Sequence, residues 1–579
     1  MSDKQYFNLG LFGEKDEPDV ISAWNIYEKG LKFNTQININ DTVKANENFY
    51  IGKQWEGVQS NGLPTPTFNI LKRVVGFIVA TITTDNIKVN ASRLSNQPEP
   101  KGVIADPIEV VNNEFEALTE LNDVPGMLRK FSRNAAVDGD GCMYTYWDAD
   151  VDCGNGIRGA IKTEILDNID VLFGNPNDRD VQSQPYITIV SREICRSVMK
   201  RAIDNESKDW KLITPDTEGD QDIDAAKYTD DRTTVLLTLW RDEESGEIWG
   251  YESTKTATVK KPWSLGIRLY PICWLPWDYI KDCYHGQAMI TGLIPNQIFI
   301  NKAWAMTMLS IMRSAFPKTV YDKTRVKSWD NRVGGAIGIA GGDVNTVAKI
   351  LDPAQVSPQI SQYIQLAVEQ TEQSLGATSV ALGDTRPDNT SAIIALQRAA
   401  ATPSEMTKQN LYKAIEELFR IYLEFMAEYY GKRPVNIATP DVMREVFDFM
   451  QQQTPEQISP KFDFSELKKL PMMLKLDVGA SSYYSEIAAM QTLDNLLMNG
   501  HITAVQYLER VPDGYVPKRR ALISELKEKE EMAMAQMQQP EIPPTGGGGG
   551  PVTPPQRIEI PGGRGNGALQ RAINAGKDV

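Results

Sequence analysis

Histidine is nearly missing from this 579-residue chain, which carries only His285 and His501. Two isolated imidazoles supply neither a histidine-based metal site nor an obvious acid–base relay. Cysteine is scarce too. Cys142, Cys153, Cys195, Cys273 and Cys283 are odd in number, widely spaced and without a CxxC pair, so neither a disulfide framework nor a zinc site is expected, and a reducing compartment fits. Positive charge falls short: 61 Lys and Arg stand against 76 Asp and Glu, a net charge of −15 that opposes a broad phosphate-gripping surface. No apolar leader opens the chain. The most apolar stretch, 298–312, is too short for a membrane span and contains Lys302, so a soluble, unexported protein is expected. GxxxxGK[ST], HExxH, GxSxG and nucleophilic-cysteine signatures are all missing, which argues against an enzyme.

What is present reads as a folded α+β chain of several domains, because single cores rarely grow beyond about 250–300 residues and 41% of residues are hydrophobic against 24% charged. Residues 1–40 are polar and weakly patterned. DTVKANENFYIGKQW (41–55) is the first strong helical pattern, and FNILKRVVGFIVATITTDNIKVN (68–90) shifts from helical spacing to alternation, a helix followed by a strand. Residues 107–121 form a further helix. From about 143 to 277, short β-branched and aromatic runs alternate with Asp, Gly and Asn clusters, which predicts antiparallel β-structure interrupted by a helix near 191–203 and an acidic loop at 216–224.

Helices return with IPNQIFINKAWAMTMLSIMRS (294–314), apolar nearly all round and therefore in need of packing on several sides. A compact, mildly basic insert follows to about 355, with KTVYDKTRVKSW as strand and GGAIGIAGG as turn and strand. Ser357-Pro358 then caps and opens a second helix to 376. GDTRPDNTSAIIALQRAAATPSE (383–405) passes from turn chemistry into a long helix, 391–430. Thr402-Pro403-Ser404-Glu405 is a capping box inside that helix and predicts a kink, while Leu411, Ile415, Leu418, Tyr422 and Met426 mark its core stripe. KLPMMLKLDVG (469–479) reads as a strand returning to the earlier β region. Short helices at 486–498, 503–510 and 517–532 precede a Gly/Pro-rich tail expected to be disordered.

Two local patterns imitate ligand sites. Gly154-Asn155-Gly156-Ile157-Arg158-Gly159 matches GxGxxG, but strand-like sequence on both sides favours a hairpin turn over a dinucleotide site. Asp148, Asp150 and Asp152 resemble the start of a calcium loop, yet Cys153 and Gly159 stand where glycine and glutamate are needed. A solvated turn is the better reading there, with an incidental ion as the alternative.

Four stretches carry a resemblance to a known family: NFYIGKQW (48–55), Tyr284-His285-Gly286 with Pro295-Asn296-Gln297 before an apolar helix, NTSAIIALQRAAATPSEM (389–406), and VGASSYYSEIAAMQTLDNLLMNGHITAVQYLERVPD (478–513). Over about 46–529 the chain is similar to portal proteins, the head-to-tail connectors of tailed double-stranded DNA bacteriophages. The order of parts agrees, since portals have a β-rich wing, a stem of two helices bracketing a clip, a long kinked helix and a helical crown.

The resemblance implies an N-terminal extension at 1–40, a wing at 41–283, a first stem helix at 284–315 and a small α/β clip at 316–356. It further implies a second stem helix at 357–376, a tunnel loop at 377–390, the wing's long helix and return strand at 391–480, a crown at 481–535 and a tail at 536–579. It implies a dodecameric ring, a channel at one capsid vertex through which double-stranded DNA is packaged and ejected, in the virion and, during assembly, the host cytoplasm. Its partners would be the large terminase, the major capsid protein, a scaffold and head–tail adaptors, with no cofactor, metal or membrane. Another phage head structural or adaptor protein is the alternative; a packaging motor subunit is opposed by the missing phosphate loop.

Neighbouring subunits in such a ring would cover the apolar faces of helix 294–314, and an acidic channel would repel DNA evenly without gripping it. Glu369 and Glu372 either line that channel or sit on a solvated face. Lys318, Lys323, Arg325 and Lys327 of the clip either meet an acidic partner or balance local acids. By position the loop 377–390, with Thr378, Gly383, Asp384, Thr385, Arg386, Pro387, Asp388 and Asn389, corresponds to the portal tunnel loop that projects toward DNA; an ordinary surface loop is the plain alternative.

Overall fold

The computed structural model describes residues 19–60, 62–83, 87–94, 106–154, 157–216, 232–315, 319–328, 337–350, 358–374, 405–435, 461–478, 483–499 and 501–511, with three positions between 522 and 526. It divides into two units, residues 1–486 and 487–579.

Side-chain caps set the helix starts of the first unit. Asp19 accepts from the Ser22 amide to open α1 (Val20–Gln36), and α2 is Ile39–Ile51, closed by Gly52 in the left-handed region. Residues 1–40 had read as weakly patterned, yet α1 folds because Ala23 and Ile26 need only one narrow stripe to pack against Trp240 and Tyr251. After α3 (Ile70–Thr83) comes β1 (Ile87–Arg93), the helix-to-strand change that the spacing predicts. Asp106 caps α4 (Pro107–Leu121), with proline at its first turn, and Asp123 caps α5 (Val124–Asp138).

Two antiparallel sheets follow. β2 (Asp140–Asp152) is flanked by β3 (Arg158–Leu166) and β9 (Ile272–Pro276). A five-stranded meander joins β4 (Val171–Phe173), β5 (Tyr186–Ile194), β6 (Arg232–Arg241), β7 (Ile248–Thr254) and β8 (Thr258–Ser264). The helix expected near 191–203 starts later: α6 spans Cys195–Asp204, because Ser191–Ile194 pair with β6 as strand. The GxGxxG stretch is the β2–β3 turn, with Asp152 opposite Arg158. Gly159 (φ +85°) is required there, since a Cβ would lie 2.1 Å from the Trp147 ring. Asp148, Asp150 and Asp152 lie at the end of strand β2 and not in a turn, and Asp148 pairs with Lys162 at 2.5 Å.

The outer strand edges are closed by asparagines. Asn122 accepts from the Thr163 amide and donates to the Ile161 carbonyl, standing in for a strand beside β3. Asn112 does the same for Ala91 of β1.

Past the sheets lie α7 (Ile294–Ala315), β10 (Thr319–Tyr321), the single turn α8 (Val344–Val347), β11 (Ala348–Ile350) and α9 (Pro358–Ser374). β10 pairs with β11, so helix, insert and helix follow in the expected order. The insert's strands are shorter than expected: residues 322–328 are turns held by Asp322, which accepts from Thr324, and 337–340 form no strand.

α10 (Glu405–Tyr429) buries Leu411, Ile415, Leu418, Tyr422 and Met426, the whole expected stripe, in the main core with α3, α4, α5, β2 and β9. The part of the long helix before Glu405, and with it the expected kink, lies outside the described residues. β12 (Lys432–Pro434) pairs with β13 (Lys461–Asp463). β14 (Met472–Val478) is the returning strand, but it pairs with β1, because Val89 and Ala91 offer an open edge beside the core.

In the second unit, Thr503 and Gln506 form a capping box for α12 (Ala504–Arg510), which follows α11 (Tyr483–Met498). Tyr507 donates to Asp494 at 2.7 Å. The expected third helix, 517–532, is described only at isolated positions, and the tail lies outside the described residues.

Candidate functional site

Asn46 and Gln54, in and just after α2, reach Thr291 and Asn301 around the start of α7. α7 buries Ile300 and Ala305 together with two amides, and leaves large apolar side chains bare on its other faces. Its polar residues Gln297 and Asn301 are 1% and 3% exposed, whereas Phe299, Met306, Ile311 and Met312 are each more than half exposed. The buried amides form a ladder: Gln297 donates to the Phe68 carbonyl (2.6 Å) and to Asn301 (3.0 Å), accepts from the Ile70 amide (3.2 Å), and Asn301 donates to Gln54 (2.6 Å). Asn46 of α2 ties Thr291 to the Val137 carbonyl. Low-dielectric amide networks are valuable only when satisfied. Replacing Gln297 with leucine leaves Asn301 Oδ1 without its donor, while the Ile70 amide keeps its bond to the Phe68 carbonyl (2.9 Å). A loss of roughly 1–3 kcal/mol is expected from that one orphaned group, read as a fall in urea midpoint.

Just before α7, Tyr284-His285-Gly286 is a buried latch. Nδ1 of His285 lies 2.7 Å from Asp140 Oδ2 and its Nε2 lies 3.3 Å from Asn34 Oδ1, while Gly286 N–H donates to Asp140 Oδ1 (2.7 Å). Tyr284 stacks on Phe173 and donates to the Val171 carbonyl. Gly139 and Gly286 press together: at Gly139 (φ +106°) a Cβ would lie 2.6 Å from the Gly286 carbonyl. This histidine is therefore a structural clasp joining α1, β2 and the approach to α7.

Beside the clasp, Asp138 is mostly buried, its side chain 13% exposed, and faces Arg133 at 3.8 Å. Burial pushes its carboxyl up to about 7; Arg133 opposes that rise and Glu47, Asp167 and Asp140 reinforce it. Between about pH 4 and 7 the folded chain holds a proton that the unfolded chain has lost, so stability falls as pH rises through that window. Asp138→Asn is expected to leave the melting temperature nearly unchanged at pH 4.5 and to raise it at pH 8, by an amount worth about 1–3 kcal/mol. Thermal unfolding at the two pH values checks this.

α9 packs on α7 through Ile364 and Thr371, with Asn296 donating to Thr371 at 3.4 Å. Its other side leaves Tyr363 and Leu366 exposed. Glu369 is on that exposed side and accepts from Gln365; the side chain of Glu372 lies outside the described residues. Lys323, Arg325 and Lys327 share the exposed turn after β10. Arg325 reaches Asp322 at 3.5 Å, a local acid partner, while Lys323 and Lys327 point to solvent. Lys318, Thr378, Gly383, Asp384, Thr385, Arg386, Pro387, Asp388 and Asn389 lie outside the described residues.

The amide ladder was not anticipated from the sequence. Its signal was present: Gln297 and Asn301 at i, i+4 in an otherwise apolar helix mark a buried polar stripe.

Among known families, the phage P22-like portal protein model matches residues 167–544 of this chain, well over half of it. The chain belongs to the phage P22-like portal protein family. No curated protein matches it. A portal protein is an oligomeric structural component of the phage head, not an enzyme, and the mixed helix-and-sheet architecture here is compatible with that assignment. Among the described residues, no helix is long and apolar enough to cross a membrane.

Proposed function

We propose that this chain forms the ring-shaped channel at one capsid vertex through which double-stranded DNA is packaged and later ejected, with α7 and α9 as the stem. The observation that carries the reading is the exposed apolar surface of α7. A helix that buries its amides and exposes Met306, Ile311 and Met312 leaves apolar surface that copies of the same chain can cover. Dodecameric closure, and the wing, clip, crown and tunnel-loop boundaries given above, belong to this proposal.

The clip turn carrying Lys323 and Lys327 is the proposed docking point for the terminase and then for head–tail adaptors, and the capsid and scaffold contact the ring elsewhere. The net charge of −15 supports a conducting role over a gripping one, because an acidic wall gives phosphates no deep binding point. Electron microscopy of the purified chain tests the proposal: rings with an open central hole support it, and particles without one turn the assignment to a head or adaptor protein of another kind.

A further inference from the structure

The two sheets of the first unit part around a cavity of about 790 Å³ that the portal reading does not use. Its floor is apolar, with Ile189, Leu237, Leu239 and Phe425, and its rim carries charge. Three carboxylates, Glu164, Glu193 and Glu252, face only two cations, Arg201 and Lys260. Both cations are already engaged: Arg201 bridges Glu193 and Glu252, and Lys260 sits 3.7 Å over the Trp263 ring. Glu164 is left with no cationic partner among the described residues. Its side chain is exposed at the cavity mouth; partial desolvation first, and then the nearby Glu193, raise its pKa. Directly across the strand pair stands Tyr144, stacked with Tyr146 at 5.7 Å, so the unpaired acid and two aromatic rings line the same cavity.

We propose that this cavity binds an arginine side chain of a partner polypeptide, with an apolar neighbour of that arginine on the cavity floor. A guanidinium suits the site better than an ammonium, because its plane can stack on tyrosine while its paired N–H groups meet a carboxylate. The volume exceeds what one guanidinium fills, and the apolar floor takes the adjoining side chain.

Calorimetry on the full chain with acetyl-Leu-Arg-Leu-amide, and with its uncharged citrulline counterpart, tests this. The arginine peptide is expected to bind roughly tenfold more tightly than the citrulline peptide. Glu164→Gln is expected to erase that preference, and Glu164→Asp, which keeps the charge, to retain most of it. Glu243→Gln, in the exposed β6–β7 turn, removes the same charge at a distance and is expected to change nothing. Equal binding of the two peptides, or no binding of either, by the wild-type chain overturns the proposal without any variant. So does an undiminished preference in a folded Glu164→Gln chain, or its equal loss in Glu243→Gln, which would reduce the effect to overall acidity.

Discussion

Placing aspartate at both Met308 and Ile311 is expected to abolish ring formation while leaving the subunit folded. The two residues are one turn apart on α7, 38% and 60% exposed, so in the lone chain neither supports the core. Substitutions at such positions usually change subunit stability by no more than about 0.5 kcal/mol. In the ring the same positions would be covered by a neighbour, and an unpaired carboxylate removed from water there costs several kcal/mol. That cost recurs at every interface of a closed ring. Native mass spectrometry should report monomers for the double variant where the unaltered chain gives the full ring, at matching melting temperatures of the monomer. Rings of unchanged mass would show that this face of α7 is not an interface, and would remove the main structural support for the channel. Ile364→Asp is the contrasting variant: Ile364 is buried in the chain itself, so its replacement should lower the subunit's own melting temperature.

What could be read from the sequence divides along physical lines. Strong periodicity was legible: the stripe from Leu411 to Met426 is buried throughout, and the helix–insert–helix order holds. Where two elements compete, local pattern failed. Ser191–Ile194 has helix-compatible residues but is held as strand by nine pairings between β5 and β6. β14 chose its partner by which edge was open, which no local pattern encodes. α1 was missed because a helix pinned by two small contacts and one buried asparagine needs little amphipathicity. At the candidate site, the bare apolar faces of α7 were legible as excess hydrophobicity, but their counterpart was not. Gln297 and Asn301 look like ordinary polar breaks until Phe68 and Gln54, more than two hundred residues earlier, are brought against them.

The second large effect is expected from residues 383–389, Gly-Asp-Thr-Arg-Pro-Asp-Asn, which fall between α9 and α10 in chain order. Under the proposed function this segment is the part of the chain that meets DNA. Its composition suits transient contact: Arg386 is the one phosphate-seeking charge, and Asp384 and Asp388 on either side weaken any lasting hold. Proline at 387 restricts its own φ, and glycine at 383 is the residue type that tolerates positive φ. Deleting 383–389 should leave ring mass unchanged, because the apolar faces of α7 and α9 remain, but should reduce packaged DNA by roughly tenfold or more as the moving duplex loses its contact. Arg386→Ala should give a smaller loss that becomes milder as salt is raised, since one screened charge per subunit is removed. Packaging and retention are read together as nuclease-protected DNA per particle. Full-length genomes held normally by deletion-mutant particles would assign the segment to an ordinary surface connection, and rings that fail to form would assign it to assembly; in either case the DNA-contact role falls.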